Sequence, residues 1–204
     1  MAEHILEEYK SRRNRACLVQ TDERRFVVKI FAEEESFQKE LQVYNLLQGI
    51  DLPCAKVIRY NDKTLVLSNL PGKNLVDCLE HQERTGQICW EVWEKLAAWL
   101  TAFHKHTGLV MTDVNLRNFL FDDRSKTLYG LDFEECNEGN LAVSAACIAA
   151  YIRTYKPENT DLKQNISRYV LNLFARNCKV EVNDLFLDSR RQEEKILECR
   201  KNRE

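Results

Sequence analysis

Lys29, Glu40, Asp113, Asn118 and Asp132 follow one another along a chain of 204 residues, and together they supply the side-chain types that phosphoryl transfer requires. That chemistry asks a protein for charge neutralisation and positioning more than for covalent help. An ammonium must meet the phosphates, a carboxylate and an amide can hold Mg2+ through oxygen, and a second carboxylate can orient a hydroxyl nucleophile. Lys29 lies inside the apolar run Phe26-Val27-Val28-Lys29-Ile30-Phe31, so a strand can aim it at phosphates. Glu40, directly followed by the apolar Leu41, is the partner the spacing favours for Lys29; Glu33, Glu34 and Glu35 read as a solvated first helical turn.

These residues need elements to hold them. Ala16 to Val19 and Phe26 to Phe31 read as a hairpin around the polar turn at 21–24. Apolar residues at Phe37, Leu41, Tyr44 and Leu47 keep helical period, and Gly49 ends that helix. A second hairpin is predicted from Pro53 to Tyr60 and Thr64 to Leu70, and Pro71-Gly72 marks a hinge. Helices follow near Leu75 and over 88–105, where Trp90, Trp93, Leu96, Ala97, Leu100 and Phe103 share a broad face. The three tryptophans read as core or inter-helix packing. A small hairpin spans 118–121 and 127–131. Helices are predicted over 141–154 and 162–177, and the charged tail from Asp188 to Glu204 reads as a solvated terminal helix.

The segment Thr112-Asp113-Val114-Asn115-Leu116-Arg117-Asn118 sits between an apolar helix and a short apolar strand, and Leu131-Asp132-Phe133 follows a second strand. In that setting the D-x-x-x-x-N pattern resembles the catalytic loop of protein-kinase-like enzymes, and Leu131-Asp132-Phe133 resembles their metal-binding DFG region. The resemblance implies a bilobal protein-kinase-like α+β fold, with a small N-terminal β-rich lobe (1–70) and a hinge with an abbreviated, mainly helical C-terminal lobe (71–204), in one domain over 1–204. It implies ATP and Mg2+ as cofactors, with Asp113 orienting the acceptor, Asn118 and Asp132 on metal, and Lys29 on phosphate held by Glu40. Ser68-Asn69-Leu70 resembles the hinge that meets adenine through its backbone. Phe103-His104 resembles the pair before the catalytic loop, which makes His104 structural.

Several positions depart from the family pattern. No glycine precedes Gly49, so Ser11-Arg12-Arg13-Asn14-Arg15 stands where a glycine-rich phosphate loop would be, either near phosphates or as a basic, solvated strand boundary. Thr112 replaces the usual His or Gly. Glu134 replaces the last glycine of DFG and is read either as a metal ligand or as a solvated carboxylate. Asn115 replaces the lysine common in serine/threonine kinases, while Arg117 occupies the place of the arginine in many tyrosine kinases, either meeting transferred phosphate or bracing the loop. The short chain after Asp132 lacks an A-P-E motif and is similar in compactness to RIO- and Bud32-like kinases or to aminoglycoside-phosphotransferase-like proteins.

Composition frames the partners. Thirty basic residues against 32 acidic ones give a net charge of −2, which argues against a dedicated nucleic-acid binder. Eight cysteines without a CxxC pair predict free thiols in a reducing, cytoplasmic setting. The charged start lacks a signal-peptide core, and the run 138–151 is too short to span a bilayer. The expected partner is therefore a hydroxyl acceptor, protein or polar small molecule, with no membrane and with docking of a partner protein left open. Two other readings also remain open: a nucleotide-binding pseudokinase, and a nucleic-acid-linked kinase using Arg12, Arg13, Arg15, Arg24 and Arg25.

Overall fold

Five antiparallel strands make the first layer: β1 (His4–Tyr9), β2 (Arg15–Gln20), β3 (Arg25–Ile30), β4 (Val57–Asn61) and β5 (Thr64–Ser68), in the spatial order β1-β2-β3-β5-β4. The computed structural model describes residues 4–9, 13–22 and 24–202; Ser11, Arg12 and Glu204, named above, and Glu23 of the turn at 21–24 lie outside the described residues. Period-two alternation gives the sheet its two faces. Leu65 and Leu67 are buried on one face and Val66 on the other. Register places Ala16 opposite Lys29 and Leu18 opposite Val27, so all four belong to the face that carries the ammonium.

Helix α1 (Glu34–Leu47) bridges β3 and β4. It buries Phe37, Leu41, Tyr44 and Leu47 along one stripe, with Glu40 on the same stripe only 1% exposed. Past the sheet, Gly72 at φ 111° runs so close to the backbone of Phe121 that a Cβ would come within 2.6 Å of its carbonyl oxygen. Strand β6 (Lys73–Asn74) follows, and the Asn74 side chain accepts the Val76 and Asp77 amides to cap α2 (Leu75–Thr85).

The second lobe is mainly helical. Its elements are α3 (Trp90–Thr107), β7 (Leu109–Met111), a 3-10 turn (Leu116–Asn118), β8 (Phe119–Asp122), β9 (Thr127–Gly130), β10 (Cys136–Glu138), α4 (Leu141–Thr154), α5 (Asp161–Cys178) and α6 (Val182–Lys201). Trp93, Leu96 and Phe103 of α3 are fully buried, as are Ile148, Ile152, Ile166, Val170 and Phe174 of α4 and α5. Burying such side chains contributes about 1.5–3 kcal/mol each. Trp90 stays 41% exposed but lies tilted against Tyr169 of α5, ring centres 4.6 Å apart, which is packing between helices.

Three features differ from the sequence expectations. The charged start holds edge strand β1, exposed at every position and therefore without the alternation that marks a half-buried strand. Strands β7 and β10 pair over three residues each, too few for a readable period. The tail is not a solvated helix: α6 packs on α4 and buries Leu185, Ser189 and Glu193. All eight cysteines are free, and among the described residues no helix is long and apolar enough to cross a membrane.

Candidate active site

Lys29 is the hub. Strand β3 carries it beneath α1, where its Nζ donates to Glu40 Oε2 at 2.6 Å and to Asp132 Oδ1 at 2.6 Å. Burial opposes the charge on Lys29, but the two carboxylates outweigh it and hold the ammonium above its ordinary pKa. Burial pushes the Glu40 carboxyl up to about 7, with Lys29 pulling it down and Asp132 pushing it further up. Glu40 Oε1 is buried without a hydrogen-bond partner, and so is the hydroxyl of Tyr44 one turn further along α1. Such atoms carry a real cost in a folded protein, so the cluster is left short of full satisfaction.

Asp132 is held in a backbone conformation that side chains rarely take, with φ 61°. The residues on either side fix it there. Leu131 donates its amide to Asn118 O at 2.8 Å, which ties the metal-type aspartate to the end of the loop. Phe133 is fully buried, 5.2 Å from Tyr44, 6.2 Å from Trp99 and 5.7 Å from Phe103, so α1 and α3 both grip it. Space beneath Trp99 exists only because residue 130 is glycine; a Cβ there would sit 2.3 Å from the indole.

The loop at 112–118 is stapled at both ends. Thr112 donates its amide and its hydroxyl to Glu135 O, at 3.0 and 2.8 Å. Asn118 Nδ2 donates to Asp113 O at 3.0 Å, which leaves its carbonyl oxygen as the ligand-type atom. Asp113 is exposed at the cleft, yet loss of water around its carboxyl pushes it above the usual range, with the Asp132 charge adding to the rise, while hydrogen bonds from the Tyr151 hydroxyl and the Asn115 amide act the other way. Asn115 Oδ1 receives the Arg117 amide at 3.0 Å and the Tyr155 hydroxyl at 2.6 Å. Arg117 points out to solvent, and His104 bonds Leu109 O through Nδ1 at 3.0 Å, a structural contact.

Two readings are sharpened around this centre. Arg13 stays exposed at the strand boundary, yet its NH1 reaches Glu135 Oε1 at 2.5 Å, and Asn14 Nδ2 donates to Glu134 Oε2 at 2.6 Å. Arg13 and Asn14 therefore meet the two glutamates after Phe133. Glu134 is thus neither free in solvent nor alone; its carboxylate, with Glu40 and Asp132, makes a three-carboxylate group of metal-ligand dimensions. Lys29 already supplies a cation to two of the three.

Ser68 is committed elsewhere. Its amide donates to Lys56 O and its hydroxyl accepts the Lys56 amide, both at 2.9 Å. Asn69 is exposed and Leu70 packs against the main core. Sequence reasoning missed Tyr151 and Tyr155. Their only signal was a pair of hydroxyl-bearing aromatics four apart at the end of an otherwise apolar helix.

The fold is that of the protein-kinase-like enzymes: a sheet with one helix, then a mainly helical lobe carrying a catalytic-type loop and a metal-type aspartate. Residues 6–89 match the Phosphotransferase enzyme family. A solved structure, that of the Cydia pomonella granulovirus kinase PK-1, is similar with a TM-score of 0.51 and 22% sequence identity, over 67% of this chain and 55% of the viral one. The fold is thus kinase-like, the family match covers the first part of the chain alone, and the chain spans about half the length of the viral kinase. No curated protein matches the chain.

Proposed function

We propose that the protein is an ATP-dependent kinase that transfers the γ-phosphate to a hydroxyl of a protein or polar small molecule. The observation that carries this reading is the convergence of three distant segments on one ammonium, Lys29, 2.6 Å from both Glu40 and Asp132. In this reading Lys29 holds the non-transferred phosphates and Glu40 holds Lys29. Asn69 and Leu70 receive adenine, since the Ser68 amide is already spent. The donor set fits a hard cation: Asn118 keeps a carbonyl oxygen and Asp132 keeps its second carboxylate oxygen. Mg2+ held by Asn118 and Asp132 would neutralise phosphate charge in the cleft. Asp113 accepts a hydrogen bond from the acceptor hydroxyl and takes its proton as transfer proceeds. In this reading Arg117, exposed beside the loop, meets phosphate from the acceptor side.

The test is Asp113→Asn, with binding of Mg2+-ATP followed by calorimetry and transfer followed with labelled γ-phosphate. Binding should persist while most transfer disappears. Undiminished transfer by this variant overturns the role of Asp113. A second reading, a nucleotide-binding pseudokinase with a regulatory role, rests on the contacts of Arg13 and Asn14 with Glu135 and Glu134. Tight Mg2+-ATP binding with no transfer to water, to the protein itself or to a panel of acceptors would favour it.

A further inference from the structure

The loop that carries Asp113 contains no side chain of its own that braces the carboxylate. Asn115, at the position where a lysine often stands, turns its oxygen to the Arg117 amide and to Tyr155. Asn118 donates to the Asp113 carbonyl, not to its carboxylate. The side-chain bond to the carboxylate comes from 38 residues further on, where the Tyr151 hydroxyl donates to Asp113 Oδ1 at 3.2 Å. Resting on the kinase reading above, we propose that Tyr151 is a positioning residue that sets the orientation of the Asp113 carboxylate toward the acceptor hydroxyl.

The mount behind Tyr151 suits such a role, because a positioning group works only if its own element is rigid. Ser144, fully buried near the start of α4, donates to Met111 O at 2.8 Å and pins the helix to the strand that leads into the loop. Arg153, fully buried near the end of α4, bonds Glu193, Ser189 and Ser167, which locks that end to α5 and α6. Tyr155, four residues after Tyr151, bonds Asn115. Two hydroxyls, one in α4 and one just past its end, thus hold the loop at Asp113 and Asn115. The Asn115 backbone amide also donates to the Asp113 carboxylate, and the Tyr151 hydroxyl on Oδ1 adds a second hold from a rigid helix. A carboxylate facing solvent with fewer holds samples more rotamers.

The test compares wild type, Tyr151→Phe and Tyr169→Phe in the full chain. Tyr169 also donates its hydroxyl to a carboxylate, that of Glu94, but on an exposed flank away from the cleft. Crystal structures with Mg2+ and a non-hydrolysable ATP analogue read the Asp113 rotamer directly, and hydrolysis of Mg2+-ATP, with water as acceptor, gives kcat and KM. In Tyr151→Phe the Asp113 carboxylate should turn or split between rotamers. Its kcat should fall roughly ten- to a hundredfold, with KM for ATP unchanged and a melting temperature close to that of wild type; Tyr169→Phe should match wild type throughout. An Asp113 carboxylate held identically in Tyr151→Phe, for instance by the Asn115 amide alone, overturns the proposal, as does an unchanged kcat. Loss of kcat and a raised KM together, with a large drop in melting temperature, reduces Tyr151 to packing and overturns it too. Full activity of Asp113→Asn removes the role of Asp113 itself, whereas an unmoved Asp113 in Tyr151→Phe removes only that of Tyr151.

Discussion

Glu40 and Glu193 are both buried carboxylates paired with a buried cation, and the two environments drive them in opposite directions. Glu193 is only 5% exposed. It receives Asn159 Nδ2 on Oε1 at 2.9 Å, and Arg153 Nε and Arg190 NH1 on Oε2 at 2.8 and 2.9 Å. Burial works against its charge, but these donors win, and its pKa lies below the ordinary value. Glu40 has one donor, Lys29, on one oxygen and nothing on the other, and burial wins. Glu40 is the more deeply desolvated of the two, has fewer donors and lies beside the carboxylates of Asp132 and Glu134, and all three differences push it the same way. A saturated charge cluster holds helices together; an unsaturated one next to a cleft keeps capacity for a ligand or a proton.

The largest effect should come from breaking the saturated cluster. Arg153→Met leaves Glu193 buried with less compensation and should cost about 3–5 kcal/mol in a urea unfolding experiment. A loss below about 1 kcal/mol would undo the contrast. Glu193→Gln should cost about 2 kcal/mol at neutral pH, since hydrogen bonds to a charged group are lost. Its folded-state pKa is lowered, so the stabilisation is present above the unfolded value and vanishes as pH falls through the folded one. The gap between wild type and variant should therefore close in acid, as read by thermal melts from neutral pH downward.

Lys29→Met should cost less, about 1–2 kcal/mol, because Glu40 is already pushed to about 7 and can take a proton once its partner is gone. That variant should gain stability relative to wild type as pH falls from the alkaline side toward about 7, since without Lys29 its Glu40 takes up a proton at higher pH than wild type does, and the difference should level off below that. Smallest of all, Arg13→Ala removes an ion pair whose partners are 63% and 37% exposed, and it should shift stability by less than about 0.5 kcal/mol. A larger shift would mean that the crossing from Arg13 to Glu135 belongs with the buried clusters.

What the sequence made legible follows the range of its periodicities. The strand around Lys29 and the helix carrying Glu40 could be read because each is a local apolar pattern within one stretch of chain. The small hairpin over 118–131 and the helices over 75–107 were readable for the same reason. The edge strand at His4–Tyr9 was hidden because nothing covers it, and Ser189 and Glu193 were hidden because polar side chains on a charged helix signal solvent. Their burial depends on Arg153, far away in sequence. Tyr151 was silent for a similar cause: the apolar run around it explains a buried helix, and no local rule says that a hydroxyl at its end will meet Asp113. Contacts across 30 or more residues are made by topology, which composition and period do not encode.

The grip on Phe133 has a consequence in time. Asp132 is joined to a ring that touches Tyr44, Trp99 and Phe103, and it sits in a left-handed turn that its neighbours enforce. An exposed side chain such as Arg117 changes rotamer in picoseconds to nanoseconds. Asp132 cannot leave its place at that pace, because its neighbour would first have to withdraw from between two helices. The aspartate therefore moves on the clock of the aromatic core.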